Sequence, residues 1–355
     1  MKSLHDIWNN SLSSELSKYR NKEKKIIRTN RPYLQEPWGG LLPGTCVVIG
    51  GHTSAGKSYE AELIIDEILD TDINPDADDF VILNFSLEMK VISLYLRYMS
   101  RVTGYSKQEL LLETWSEEKL KILTPHIEKW ASKNIFIEDN QMAADEWIEI
   151  TSKFCEKNKN RKANVIIVDH MALLGEGNEI TTSVNRVLSH VNALKIKYDN
   201  VFFILLTQFS PSFFQRINDK DNRARPNERD TFYSGSLSMT SDYTVMIVNA
   251  QQLGIDNYLS LNPERYSYLS KYFSQEEDIK LKKPSGKVSF KTSGLLFYFL
   301  VKNREANRGY DDIFIKELTE FIPDEIPEYS PVIQIKRLPE KKLKVNDSPT
   351  IEMPF

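Results

Sequence analysis

From residue 45 onward the chain alternates short apolar runs with segments whose apolar residues recur every three or four positions. The runs near 46–50, 81–86, 135–138, 165–169, 201–207, 244–249 and 295–301 have strand length. The periodic segments near 57–70, 89–102, 116–132, 143–158 and 184–198 carry the repeat of amphipathic helices. Strands that are apolar throughout are buried on both faces, and their alternation with helices is the pattern of a parallel sheet wrapped by helices. The expected fold class is α/β, with a mostly parallel central sheet flanked by helices. In such sheets ligands bind at the carboxyl ends of the strands.

Three segments fall outside this rhythm. Leu4, Ile7, Trp8, Leu12, Leu16 and Tyr19 recur at helical spacing, with Ser3 and Asp6 as a capping pair, and predict an amphipathic helix over 3–19. Its apolar stripe needs cover, from its own domain or from a neighbouring subunit. The basic stretch Lys18 to Arg31 and the turn-rich residues 31–40 read as a connector, so 1–36 is assigned as helix plus connector and 37–322 as the main domain. Residues 252–292, with their tyrosines, lysines, Pro263 and Pro284, break the alternation and read as an insertion in that domain. From Pro323 onward six prolines and mixed charge read as a disordered tail over 323–355.

Composition narrows the function classes. The 355 residues carry a net charge of −4, so any contact with nucleic acid has to come from a local basic patch. Cys46 and Cys155 lie far apart without metal-ligand spacing, which fits a reducing compartment. No run is long and apolar enough to span a membrane, and the N-terminus lacks the apolar core of a signal peptide, so a soluble cytoplasmic protein is expected.

The chemistry concentrates at strand ends. Gly51-His52-Thr53-Ser54-Ala55-Gly56-Lys57-Ser58 follows the apolar run Cys46 to Ile49 and fits the phosphate-cradling pattern G-x-x-x-x-G-K-[ST]. Its glycines allow backbone N–H groups to close around phosphates, Lys57 can reach the β- and γ-phosphates, and the Ser58 hydroxyl can coordinate Mg²⁺. The expected ligand is a nucleoside triphosphate. Val165 to Asp169 is an apolar strand ending in a carboxylate, the arrangement that sets an acidic group beside that Mg²⁺. Val81 to Met89 ends in Ser-Leu-Glu-Met, which puts Glu88 at a strand edge where a carboxylate can orient an attacking water; a glutamate at a helix start also serves simply as a partner of the helix dipole.

These residues, taken together, resemble the hexameric replicative DNA helicases of the bacterial DnaB family, whose ATPase domain has a RecA-like core. Trp38-Gly39-Gly40-Leu41-Leu42-Pro43-Gly44 is similar to that family's entry into the phosphate loop. Phe85-Ser86-Leu87-Glu88-Met89 followed by Leu96-Arg97-Tyr98-Met99-Ser100, and Ile166-Ile167-Val168-Asp169-His170-Met171, resemble its Ser-Leu-Glu-Met and Mg²⁺-site strands, with His170 where the family usually has tyrosine. Leu205-Leu206-Thr207-Gln208 is similar to the strand whose glutamine senses the γ-phosphate, and Lys302-Asn303-Arg304 to the Lys-x-Arg that reaches the ATP site of the adjacent subunit. The resemblance runs from about Pro37 to Lys316.

The resemblance implies Mg²⁺ and ATP as cofactors, a homo-oligomer, a hexamer by expectation, and 5′ to 3′ translocation on single-stranded DNA. It implies DNA-binding loops at about 171–183 and 209–229. The second holds Phe213, Phe214, Arg216, Lys220, Arg223, Arg225 and Arg229, a basic and aromatic mix suited to phosphate contacts and base stacking. Within 213–229 five basic residues face Asp219, Asp221 and Glu228, a surplus of two per chain that six copies around one channel would multiply. The chain departs from the family in three places. The family's N-terminal helical domain, which binds primase, is expected to be absent, which leaves the usual primase and loader contacts open. Phe232 and Tyr233 stand where the family commonly has Arg-Glu, and 252–292 is longer than the corresponding loop. Two rivals remain at this stage: a RecA-like recombinase or clock-type ATPase that assembles without unwinding, and a nucleotide-gated scaffold or loader.

Overall fold

The computed structural model describes residues 26–174, 180–218, 225–261, 264–273, 288–304 and 313–317. The expected helix 3–19 and the expected tail 323–355 lie outside the described residues. Six strands are parallel to one another: β1 (Cys46–Gly51), β2 (Phe80–Ser86), β3 (Ile135–Glu138), β4 (Ala163–Asp169), β5 (Val201–Gln208) and β6 (Tyr243–Val248). A two-stranded sheet of β7 (Asn257–Leu261) and β8 (Val288–Lys291) follows, and then β9 (Leu295–Asn303) and β10 (Ile313–Glu317). The main sheet has the order β10-β9-β6-β1-β5-β4-β2-β3, with β9 antiparallel to both of its neighbours. The described helices are α1 (Pro32–Trp38), α2 (Lys57–Ile68), α3 (Val91–Thr103), α4 (Lys107–Leu112), α5 (Glu117–Ala131), α6 (Ala144–Lys157), α7 (Ile180–Lys197), α8 (Pro211–Asn218) and α9 (Ser234–Thr240).

The apolar runs divide their side chains between two cores with the period of two that a strand imposes. Val47, Ile49, Ile82, Val165, Ile167, Ile204 and Leu206 face one core, together with α2. Cys46, Val48, Val81, Leu83, Ile166, Val168, Phe203 and Leu205 face the other, against α6 and α7. Both faces are dry, so the strand sequences are apolar throughout. The alternation of strands with helices read from the sequence is the observed one, and no described helix is long and apolar enough to cross a membrane.

The stretch read as a connector is partly built into the domain. Ile27 pairs with Leu41 and is fully buried, and Pro32 opens α1 at the position where a missing N–H costs nothing. Tyr33 stacks on Tyr298 of β9 with ring centroids 5.1 Å apart, and its hydroxyl donates to the Glu60 carboxylate on α2. The Tyr298 hydroxyl donates to the other Glu60 oxygen at 3.1 Å, while Arg31 bridges Glu60 at 3.2 Å and Glu67 at 2.7 Å. Burial and the Glu60 carboxylate together push the Tyr33 hydroxyl well above its usual pKa. Residues from Ile27 onward are therefore part of the fold rather than a connector to it. Within 252–292, Tyr258, Tyr266, Leu269 and Phe290 are buried in a third core with Phe213, Phe297 and Phe299, so the described part of this segment packs on the main sheet.

Candidate nucleotide site

Because β1, β2, β4 and β5 are parallel neighbours, their carboxyl ends open onto one edge of the sheet. β1 ends at Gly51, where a Cβ would come within 3.0 Å of the Ile247 carbonyl oxygen and 3.1 Å of Ala55 Cβ. The loop then turns through Ser54 (φ 63°) to Gly56 (φ 92°), a left-handed conformation in which glycine meets no steric penalty. Helix α2 starts at Lys57, so its first-turn amides lack intrahelical partners and, with the helix dipole, favour an anion. Lys57 Nζ donates to the carbonyls of Gly51 (3.2 Å) and His52 (3.0 Å), and burial lowers its pKa against the pull of Asp169 and Glu88. His52 has its Nδ1 2.8 Å from the Thr53 carbonyl, while its Nε2 accepts the Asn249 N–H at 3.1 Å, tying the loop to the end of β6.

Asp169 closes β4 in register with Ser86 of β2, and its carbonyl accepts the Leu87 N–H at 2.7 Å, which fixes the start of the Ser-Leu-Glu-Met turn. Burial raises the Asp169 pKa; a hydrogen bond from Ser58 opposes this, Glu88 adds to it, and Lys57 opposes it. Asp169 Oδ1 is buried without a hydrogen-bond partner among the described residues. An orphaned carboxylate oxygen beside a serine hydroxyl and a phosphate-binding loop is a donor set that suits Mg²⁺, which takes one or two protein ligands and completes its shell with phosphates and water. Burial lowers the His170 pKa, the Lys57 charge adds to this, and Asp169, Glu88 and the Gln208 side chain oppose it. Lys57, Ser58, Glu88, Asp169 and Gln208 thus converge, and His170 joins them. In the sequence His170 stands out only as a departure from the family, and its place directly after the strand-end carboxylate is the signal of its position here.

The sequence family described as "DnaB-like helicase C terminal domain" matches residues 27–287. This chain belongs to that family. Among solved structures, the "ATPase Domain of G40P" matches with a TM-score of 0.59 at 16% identity, over 87% of this chain and 95% of that one. A structure titled "The Structure Of A DnaB-Like Replicative Helicase And Its Interactions With Primase" matches with the same TM-score and identity, over 90% of this chain and 65% of that one. Both likenesses establish a RecA-like fold. No curated protein sequence matches the chain. As a DnaB-like helicase domain the protein is an ATP-binding, ATP-hydrolysing component of DNA replication.

Two predicted site residues of this helicase domain stand apart from the nucleotide edge. Lys302 pairs with Thr244 at the start of β6, and β6 starts beside Val47, whereas the phosphate loop leaves β1 at Gly51, about 13 Å further along the strand. Lys302 Nζ donates to the Ser238 carbonyl, and burial lowers its pKa. Arg304 reaches Asp242 Oδ1 at 3.0 Å and the Met239 carbonyl at 2.8 Å, with its side chain 45% exposed. Asp242 also accepts from the Cys46 N–H at 2.8 Å and from Lys195. It is a hub that no periodicity announced.

The segment expected as a DNA-binding loop is in part the helix α8. Phe213 is fully buried, 4.3 Å between ring centroids from Phe209, so it belongs to the core and offers no face for stacking. Phe209, Phe213 and Ile217 follow helical spacing, the signal that would have revealed it. Arg216 directs its fork into Asp230. Phe214 is half-buried and, with His52, Thr53, Gln208, Phe209 and Phe232, lines a cleft of about 430 Å³ next to the phosphate loop. Arg225 and Arg229 are exposed; Lys220 and Arg223 lie outside the described residues.

Proposed function

We propose that this chain is the motor of a ring, a hexamer by family, that hydrolyses ATP between subunits, moves 5′ to 3′ on single-stranded DNA and separates duplex. The observation that carries the reading is the position of Lys302 and Arg304 on the sheet edge away from the chain's own phosphate loop. A cation placed there can serve a triphosphate only on an adjacent copy, where a guanidinium stabilises charge on the transferred phosphoryl group.

Within each site the backbone of Gly51 to Gly56 cradles the phosphates and Lys57 neutralises their charge. Ser58 and Asp169 would hold Mg²⁺, which would supply charge neutralisation to the bound phosphates. Glu88, exposed at the end of β2, orients the attacking water, and Gln208 reads the γ-phosphate. Arg225 and Arg229 line the path of the DNA backbone, Lys220 and Arg223 add positive charge for the same phosphates, and Phe214 contributes an aromatic face. The partners that follow are single-stranded DNA, further copies of this chain, and a primase or helicase loader.

ATP turnover with and without single-stranded DNA, run beside a mass measurement of the assembly and unwinding of a forked duplex, tests the proposal. DNA-stimulated turnover in a ring that opens forks is expected. Turnover indifferent to DNA, or a monomer at full activity, overturns it.

A further inference from the structure

We infer that Arg216 and Asp230 form a latch that ties helix α8 to the γ-phosphate strand β5, which makes Arg216 a positioning residue and removes it from the set of DNA-phosphate contacts. Asp230 has no exposed surface. Its two oxygens accept Arg216 Nη1 at 2.7 Å and Nη2 at 2.5 Å, and Oδ2 also accepts the Asn227 N–H at 2.7 Å. Arg216 Nη2 further donates to the Arg225 carbonyl at 3.2 Å, and the guanidinium lies 5.9 Å from the centre of the Phe213 ring. A bidentate fork on a buried carboxylate is a committed arrangement. Freeing it for a DNA phosphate would leave that carboxylate buried with one backbone donor.

The backbone of Asp230 is bound to the end of the γ-phosphate strand. Its carbonyl accepts the Ser210 N–H at 2.6 Å, Thr231 bridges to Phe209, and the Phe232 N–H donates to the Gln208 carbonyl at 3.1 Å. The Phe209 N–H in turn donates to the Gly51 carbonyl of the phosphate loop at 3.2 Å. Hydrogen bonds joined by two short stretches of backbone, Asp230 to Phe232 and Gln208 to Phe209, therefore connect α8 through Arg216 and Asp230 to the phosphate loop. A force on α8 reaches the residue that reads the γ-phosphate without Arg216 touching DNA.

The inference rests on the proposed DNA-stimulated ATPase for its functional consequence, and the test separates the two. Arg216→Ala, Arg216→Lys, Asp230→Asn and the double variant Arg216→Ala/Asp230→Asn are compared with the parent for turnover with and without a thymidine oligonucleotide. Either charge-removing variant is expected to cut the DNA-stimulated ratio at least fivefold, the double variant to be no worse than either alone, and Arg216→Lys to keep an intermediate ratio, since a lysine retains charge and one donor. A direct DNA contact predicts the opposite for Asp230→Asn: an unburdened Arg216 keeps or raises stimulation, and only Arg216→Ala lowers the salt dependence of DNA binding. That outcome overturns the latch. So does a double variant whose loss is the product of the single losses.

Amide hydrogen exchange on the DNA-free protein supplies the second arm. Both single variants are expected to speed exchange at Ser210 and Phe232 at least tenfold while α2 is unchanged. Unchanged exchange at both sites overturns the latch whatever the turnover shows. A parent protein with no DNA stimulation sinks the proposed function, and the exchange measurement then decides the latch alone.

Discussion

The two ends of the parallel sheet hold charged residues in opposite states. At the carboxyl edge Lys57, Asp169 and His170 are buried together, their pKa values displaced chiefly by burial, and one Asp169 oxygen has no partner among the described residues. At the amino edge Arg304 is half-exposed and held by Asp242, which is itself shared with Lys195 and the Cys46 N–H. The first edge gathers buried charge around a phosphate-loop turn; the second is paired within the chain and presents its cation outward. A motor whose site spans two subunits needs one edge of each kind.

The sharpest break in this comparison is Arg304→Ala. Turnover in the assembled protein should fall about 10³-fold, the scale of a lost trans-acting guanidinium, while nucleotide binding by fluorescence is retained. Mixed with Lys57→Ala under conditions of subunit exchange, it should recover part of the activity. Absence of recovery would assign Arg304 to its own subunit. Next in size is Glu88→Gln, with kcat expected to fall about 10²-fold and nucleotide affinity to stay within a few-fold, because its proposed role is to orient water while the loop binds phosphate. A parallel loss of affinity would instead make Glu88 a ligand.

The buried carboxylate Glu60 links the edges, since α2 starts at the phosphate loop and Tyr298 lies on the strand that ends near Arg304. Glu60→Ala removes the shared acceptor of the Tyr33 and Tyr298 hydroxyls and leaves Arg31 with Glu67 alone, and should cost about 3 kcal/mol of stability in denaturant melts. The smallest effect expected is at His52. Burial holds its pKa below 6.5, so its contribution to stability is complete above pH 6.5 and is lost as pH falls below that value, where the unfolded chain takes up the proton first. Glu62, pushed up to about 7, acts in the opposite sense, so the parent is compared with His52→Gln: the parent should lose up to about 1 kcal/mol more between pH 7.5 and 5.5. Identical pH profiles would remove His52 from this role.

The carboxyl edge was legible in the sequence because its residues sit at the ends of uniformly apolar runs, where a parallel sheet must bring them together. The amino edge was legible only by resemblance: nothing in the spacing of Lys302 and Arg304 shows that β9 runs against its neighbours. α1 was hidden by Pro32, Pro37 and Gly39, which read as turn residues although proline opens a helix as readily as it breaks one. α8 was hidden by its charge. Arg216 and its neighbours suggested a binding loop, while the core contacts of Phe213 and the reach of Arg216 into Asp230 are tertiary facts that composition does not record.

The contact between Glu60 and Tyr298 joins residues 238 positions apart, and it has a consequence for how the protein is made. At synthesis rates of about 5–20 residues per second, roughly ten to fifty seconds separate the emergence of the two partners from the ribosome. Throughout that interval Tyr33 has no Tyr298 to stack on, and β6, once synthesised, waits for β9. Nascent chains of this helicase domain therefore hold Tyr33 and Glu60 through most of the synthesis of the main sheet before Tyr298 arrives, and β9 and β10 are the last of the described strands to join that sheet.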